Sequence, residues 1–275
     1  MIRRRVAIAV QNCRMTLAAT PAVRGTERAL LGSLPLAAFA ELFDGLTRAS
    51  ACAKGLDRCY IYANQLFAER AGCKRVAQVI GRTAHELFPA ELAVAYDAQD
   101  DAVLRTGKPV QEQLELIGAP GTTPRWHVTS KVRLLSDAAN TVGVLCVSME
   151  VGGHEPNIAA GDRSSAAGVA ESLAEVRRDL SVPHRMGDLA QIAGLSPAKF
   201  DRYVKRAYGL APRQLIQRFR FDEAMHLLTH SDHSVADIAV RCGFYDQPSF
   251  TRQFRAATAM TPAAYRAGHP FQGNR

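Results

Sequence analysis

The sequence predicts two domains: an N-terminal α+β domain, an antiparallel sheet with flanking helices, and a C-terminal all-α domain of two tandem helix-turn-helix units. Three observations carry this. Residues 186–212 align with residues 235–262 as an internal duplication. Residues 110–117, 125–134 and 142–151 alternate like strands and are separated by turn-forming runs at 120–123 and 137–140. Between the two patterns, residues 152–168 are crowded with Gly, Ser and Ala and lack apolar periodicity, the composition of a linker.

Taking the elements in order, residues 1–30 carry a net charge of +5 and begin with Arg3-Arg4-Arg5 ahead of a short apolar run that breaks at Gln11-Asn12. That run is too short for a secretory h-region, and a basic disordered tail is expected. The first domain is expected over residues 31–151. A helix is predicted at 36–46 and a strand at 58–63. Asn64 caps a helix running to Arg70, which Gly72 ends, and a further helix is expected over 86–105. The three strands follow.

In the second domain, expected over 169–270, a lead-in helix spans 169–180. Asp188-Leu189-Ala190 falls on Asp237-Ile238-Ala239 and Gly194-Leu195 on Gly243-Phe244 at a spacing of 49; Phe200, Arg202, Lys205 and Pro212 fall on Phe250, Arg252, Arg255 and Pro262 at a spacing of 50. Each copy reads helix, glycine turn, helix. Ser196 is expected to cap the second helix of the first copy with Pro197 at its first position, and Ser234 and Asp246 to cap the helices of the second. Phe200, Tyr203 and Val204 form an inward stripe, as do Phe250 and Phe254. The opposite faces hold Ala198, Arg202, Lys205 and Arg206 in one copy and Pro248, Ser249, Arg252 and Arg255 in the other. Pro212–His230 is predicted as a connecting rod of about 27 Å at ~1.5 Å per residue. Two major-groove contacts on one face of DNA lie ~34 Å apart, so this spacer suits a double reader.

Charge agrees. Residues 31–160 carry −2 and residues 161–275 carry +5, so a polyanion would meet the C-terminal half. No apolar stretch approaches a bilayer span. The six cysteines show no paired spacing, which points to a reducing, cytoplasmic setting.

The second domain resembles the DNA-binding domain of AraC/XylS-family transcription regulators. The motifs are Leu189-Ala190-Gln191-Ile192-Ala193-Gly194-Leu195-Ser196, Phe200 through Arg206, Arg220 with Ala224-Met225-His226-Leu227-Leu228, Val235-Ala236-Asp237-Ile238-Ala239, Gly243-Phe244, Ser249 through Arg255, and Thr261-Pro262 with Tyr265-Arg266. The resemblance implies that the helices from Ser196 and Gln247 enter successive major grooves. Base-reading positions are then Ala198, Asp201 and Arg202, and Gln247, Pro248, Thr251 and Arg252. Lys199 and Ser249 complete the implied DNA-contacting set. Within it, Arg202 and Arg252 suit base edges, Asp201 suits a cytosine amino group, and Lys205, Arg206 and Arg255 suit phosphates. Ala259 stands where the family has glycine, so a different helix cap is expected there. Promoter DNA and RNA polymerase are the implied partners, with activation the implied sign.

The first domain resembles a PAS domain in Tyr62-Ala63-Asn64-Gln65-Leu66-Phe67-Ala68, Ile80-Gly81-Arg82-Thr83, Leu87-Phe88-Pro89, Thr106 through Val110, Trp126 through Lys131, and Val142-Gly143-Val144. The resemblance implies a small-molecule effector bound between helices and sheet, or pairing into a homodimer. Gln11-Asn12-Cys13-Arg14 is similar to a flavin-attaching motif but precedes the domain. His85 and His127 are the haem-ligand candidates, read as capping or core residues instead. Cys59, Cys73 and Cys146 are read as small core residues, and Tyr60, Tyr62, Tyr96 and Trp126 as either core or pocket lining. No cofactor, metal site or catalytic residue is predicted.

The resulting expectation is a non-enzymatic, ligand-controlled transcription regulator. Two alternatives stay open: a PAS-containing signalling module that binds protein only, and a DNA-repair enzyme carrying an AraC-like module, for which the clustered cysteines are missing.

Overall fold

A computed structural model describes residues 36–46, 48–117, 124–136, 140–151 and 163–268. The expected basic tail, the Gln11–Arg14 run and the turn at 120–123 lie outside the described residues, as does most of the turn at 137–140. The chain divides into two compact units at Glu150/Val151.

The first unit holds α1 (Leu36–Asp44), β1 (Ala49–Gly55), β2 (Tyr60–Ala63), α2 (Gln65–Arg70), a 3-10 turn (Val76–Gln78), α3 (Ala84–Leu87), α4 (Ala90–Thr106), β3 (Val110–Ile117), β4 (Arg125–Leu135) and β5 (Thr141–Glu150). The five strands form one antiparallel sheet in the order β2-β1-β5-β4-β3. Two expectations need correction. Strand β1 was absent from the sequence reading: Ala49-Ser50-Ala51-Cys52-Ala53-Lys54 are all buried, so neither alternation nor β-branched residues mark it. The helix expected over 86–105 is two helices. Phe88 is extended (φ −126°, ψ 158°) because the residue before Pro89 is driven out of the helical region, and α4 starts beyond it.

Asn64 caps α2 as expected, its Oδ1 accepting from Phe67 N at 3.0 Å. It does more than cap. The same oxygen accepts from Ala51 N at 3.0 Å, and Nδ2 donates to Ala49 O at 2.8 Å, so the helix start is tied to β1. Two core regions result. Cys52, Tyr60, Ala63, Ala68, Val79, Leu87 and Phe88 lie between helices and sheet. Ala53, Leu134 and Leu145 lie on the opposite face, against Phe43 of α1.

The second unit holds α5 (Arg163–Arg178), α6 (Met186–Ile192), α7 (Pro197–Tyr208), α8 (Pro212–His230), α9 (Val235–Arg241), α10 (Gln247–Thr258) and α11 (Pro262–Gly268). Helix α5 begins inside the segment read as linker, so residues 163–168 are helical. Gly168 misled that reading. A Cβ there would sit 2.6 Å from the Ala193 carbonyl oxygen, so the glycine lets α5 lie directly on the end of α6 rather than breaking the chain.

The duplication is visible bond for bond. Gly194 N donates to Gln191 O and Leu195 N to Ala190 O, both at 2.9 Å; Gly243 N donates to Val240 O and Phe244 N to Ala239 O, again both at 2.9 Å. Gly194 and Gly243 take the left-handed conformation (φ 65° and 74°), as a sharp helix stop requires. Fifty residues separate the next matching pair, in which Gly209 N donates to Lys205 O at 3.0 Å and Ala259 N to Arg255 O at 2.8 Å. Ala259 was expected to cap its helix differently; instead it adopts φ 62° and reproduces the glycine cap. Helix α8 runs as predicted, 19 residues, and serves both copies. Its Leu215, Ile216 and Phe219 are buried near the first copy in sequence, while Phe221 stacks on Phe244 (5.7 Å) and meets Phe254 edge-on (6.1 Å) in the second.

Candidate nucleic-acid interface and cavity

Helix α7 is anchored by Phe200, Tyr203 and Val204, all buried. Helix α10 is anchored by Phe250 and Phe254, which are fully buried; the Phe250 ring meets Phe244 (4.8 Å) and Phe254 (5.3 Å). Burying those stripes fixes what faces outward. Ala198, Lys199, Asp201, Arg202, Lys205 and Arg206 are exposed on α7, as are Gln247, Pro248, Arg252 and Arg255 on α10. Thr251 and Ser249 are half-buried. Ser249 is already engaged: its N–H donates to Asp246 Oδ1 at 2.6 Å and its hydroxyl accepts from Gln253 at 3.0 Å. Arg202 and Arg252 make no hydrogen bond or ion pair with another described residue, and Arg206 lies over the Tyr203 ring at 5.5 Å.

The caps differ between copies. Asp246 caps α10 and Ser234 caps α9, accepting from Asp237 N at 3.0 Å, both as predicted. Ser196 takes the N-cap position of α7 with extended backbone, but its hydroxyl makes no capping bond, contrary to expectation. Sequence reasoning also left out Tyr245, 94% exposed in the turn before α10.

In the first unit a cavity opens between the helices and the sheet. One wall is aromatic. Tyr60, Phe67, Phe88 and Tyr96 are in sequential ring contact at 5.0, 6.1 and 5.4 Å. The other is polar. Asp100 receives Lys54 and Lys131, each at 2.7 Å, and Lys54 also reaches Asp97 at 3.4 Å. All four side chains are buried. Burial alone would lower the Lys131 ammonium, but Asp100 beside it holds it above its ordinary range. Burial likewise pushes the Asp97 carboxyl up, and Lys54 and Arg58 outweigh it, leaving it below the usual carboxylate range. Cys52 and Cys146 face the cavity as register partners on β1 and β5.

The individual residues singled out from sequence sort accordingly. Tyr60 and Tyr96 line the cavity, whereas Tyr62 turns to Asp44 (3.0 Å) and Trp126 is buried without lining it. Cys146 lines the cavity, Cys73 is buried and Cys59 is half-buried. His85 Nε2 lies 3.2 Å from Asp97, and His127 Nδ1 lies 2.8 Å from the Arg125 carbonyl oxygen. Burial pushes the His127 imidazole down to about 4, so it is neutral at physiological pH. Among the described residues no cluster of three His, Cys, Asp or Glu side chains could hold a metal, and no helix is long and apolar enough to cross a membrane. Sequence reasoning missed the buried charges. The alternation His127, Thr129, Lys131 against Trp126, Val128, Val132 was a usable signal, but alternation does not say which face water occupies.

A sheet-and-helix domain with an internal cavity, joined to a duplicated helix-turn-helix unit with an outward basic face, defines a class: a sensor-type fold coupled to a DNA-binding fold. The family described as "Helix-turn-helix domain" matches residues 189–268 and that described as "PAS fold" matches residues 46–154. The protein named HTH-type transcriptional activator RhaS is 40% identical in Enterobacter sp. (strain 638) and 41% identical in Salmonella arizonae, each over 80 residues, 29% of this chain and 29% of the relative. The chain thus spans under a third of the length of these curated relatives. The DNA-binding domain of AdpA in complex with a target DNA is similar over 37% of this chain and 91% of that one (36% identity, TM-score 0.35), and the Vibrio cholera VqmA-ligand-DNA complex over 67% and 85% (26% identity, TM-score 0.41). Residues 189–268 thus match a helix-turn-helix domain and residues 46–154 a PAS fold, one in each of the two units.

Proposed function

We propose that this protein is a cytoplasmic, non-enzymatic transcription regulator that binds promoter DNA through α7 and α10 and is controlled by a small molecule in the PAS cavity. The observation that carries the reading is the duplicated cap-to-cap pattern that leaves Arg202 and Arg252 exposed at equivalent positions fifty residues apart. Helix α8, about 28 Å long at ~1.5 Å per residue, is the spacer for two contacts one DNA turn apart. Arg202 and Arg252 reach base edges, with Asp201, Ala198, Gln247, Pro248 and Thr251 on the same faces. Lys199, Lys205, Arg206 and Arg255 meet phosphates, and Ser249 stays within its own helix cap.

Ligand binding shifts the population of DNA-competent chains, through domain packing or pairing of two copies. Activation is the sign favoured by the name of the RhaS relatives, and contact with RNA polymerase is the route we propose for it. Residues 31–151 form the sensor, the chain from α5 through residue 270 the DNA-binding domain, and residues 1–30 a basic extension.

The deciding experiment is selection of bound fragments from a genomic library, followed by affinity measurements at two salt concentrations. Enrichment of a common sequence, with affinity falling steeply as salt rises, supports the reading. Absence of a shared motif, or salt-independent binding, overturns it in favour of a protein-binding module.

A further inference from the structure

The cations around the PAS cavity are not equally paired. Lys54 and Lys131 are held by Asp100 and Asp97. Arg70 is held by no carboxylate. Its Nη1 donates to Ser50 Oγ at 2.6 Å, and among the described residues no Asp or Glu lies within ion-pair distance. A guanidinium stays charged at neutral pH even when partly desolvated. Glu150 acts on Arg70 only from beyond ion-pair distance, so this cavity-lining cation has no carboxylate in contact among the described residues.

Below Arg70 the sheet presents hydroxyls in a row. Ser50, Ser148 and Thr129 are register neighbours on β1, β5 and β4, and all three are buried cavity-lining residues. Thr129 and Ser148 lie 2.9 Å apart, oxygen to oxygen. A planar cation beside a line of hydroxyls is the donor set for a carboxylate, whose two oxygens accept from the fork while hydroxyls complete its shell. Across the cavity, Phe67, Phe88 and Tyr96 offer apolar faces and edges. Asp100 and Glu115 also line the cavity, and their charge opposes a polyanion such as a phosphate ester.

We infer that the cavity takes a small organic monocarboxylate with a flat apolar body, the carboxylate on Arg70 and the body among Phe67, Phe88 and Tyr96. The ligand class stands on this geometry; only its consequence at DNA rests on the sensor reading.

The test uses the full chain with benzoate and phenylacetate as probes against benzamide and phenylacetamide, their uncharged counterparts. Binding is read by thermal unfolding followed through Trp126 and by calorimetry. The acids are expected to bind about tenfold or more tightly than the amides, the margin of one charge-assisted hydrogen bond. Arg70→Gln should bring acids down to the level of amides, and Arg70→Lys should restore part of the preference. Equal affinity for acids and amides, a preference that survives Arg70→Gln, or no binding of any probe overturns the inference.

Ser148→Phe, which fills the cavity, separates this from the sensor reading. If it changes DNA affinity while carboxylates show no preference, the ligand class fails and the sensor reading stands. If carboxylates bind through Arg70 yet neither they nor Ser148→Phe alter DNA affinity, the site stands and the sensor reading fails.

Discussion

The two domains treat charge in opposite ways. The PAS domain folds Lys54, Asp97, Asp100, Glu115 and Lys131 into its interior, each under a tenth exposed, while the helix-turn-helix domain leaves Arg202, Arg252 and Arg255 in water. Buried charge must be neutralised within a few ångströms, and that requirement builds a cavity of defined chemistry. Exposed charge needs no internal partner and remains available to a polyanion. The second domain thus carries its charge on helix faces, where the proposed DNA contacts lie, whereas the first domain keeps its charge in an interior where the proposed ligand would sit.

The largest test removes the support of the outward face. Phe250→Ala truncates a fully buried ring between Phe244 and Phe254 and should cost ~3–5 kcal/mol, seen as loss of the second copy's protection in hydrogen exchange. Retained stability would mean that the inward stripe is not what orients Arg252.

Next is the PAS interior under acid. His127 is only 3% exposed, and burial lowers it from 6.5 to about 4. The unfolded chain therefore binds the extra proton first. Stability from this group is complete above about pH 6.5 and falls as pH drops toward 4, by about 3 kcal/mol in total. Trp126, the chain's single tryptophan, adjoins His127 on β4, so urea unfolding at pH 7 and pH 5 monitored by its fluorescence isolates this domain. His127→Gln should flatten the dependence.

At the interface, Arg252→Ala should relax specificity at one base position by ~1–3 kcal/mol. A loss uniform across sequences would move Arg252 to the phosphates. Lys205→Ala, in contrast, should weaken all sequences alike and reduce the salt dependence. The smallest effect is at Ala259. Its left-handed backbone is strained for a residue with a Cβ, so Ala259→Gly should stabilise the domain by about 1 kcal/mol, measured by thermal unfolding, without altering DNA affinity.

Much of the second domain was legible in the sequence, because its signals are local. Caps at Ser234 and Asp246, the left-handed glycines and the Phe250/Phe254 stripe act within a few residues and repeat at a fixed spacing. Ser196 shows the limit: its residue type was right for a cap, yet its hydroxyl does not bond. In the first domain, strands β3, β4 and β5 were legible by alternation, but β1 was not, since both of its faces are covered and its small residues carry no pattern.

By itself the sequence determined that the chain has a duplicated helical half and a sheet-bearing half, since periodicity and chain chemistry act over a handful of residues. Which face of β4 meets water, and which charges meet each other, was decided only by tertiary structure. Lys54 and Asp100 are 46 residues apart, and Lys131 and Asp100 are 31 apart. No local rule couples them. Closing the helices over the sheet brings them together in a buried place where pairing becomes compulsory, and where Arg70, with no carboxylate in contact, is the cation on which the proposed ligand would rest.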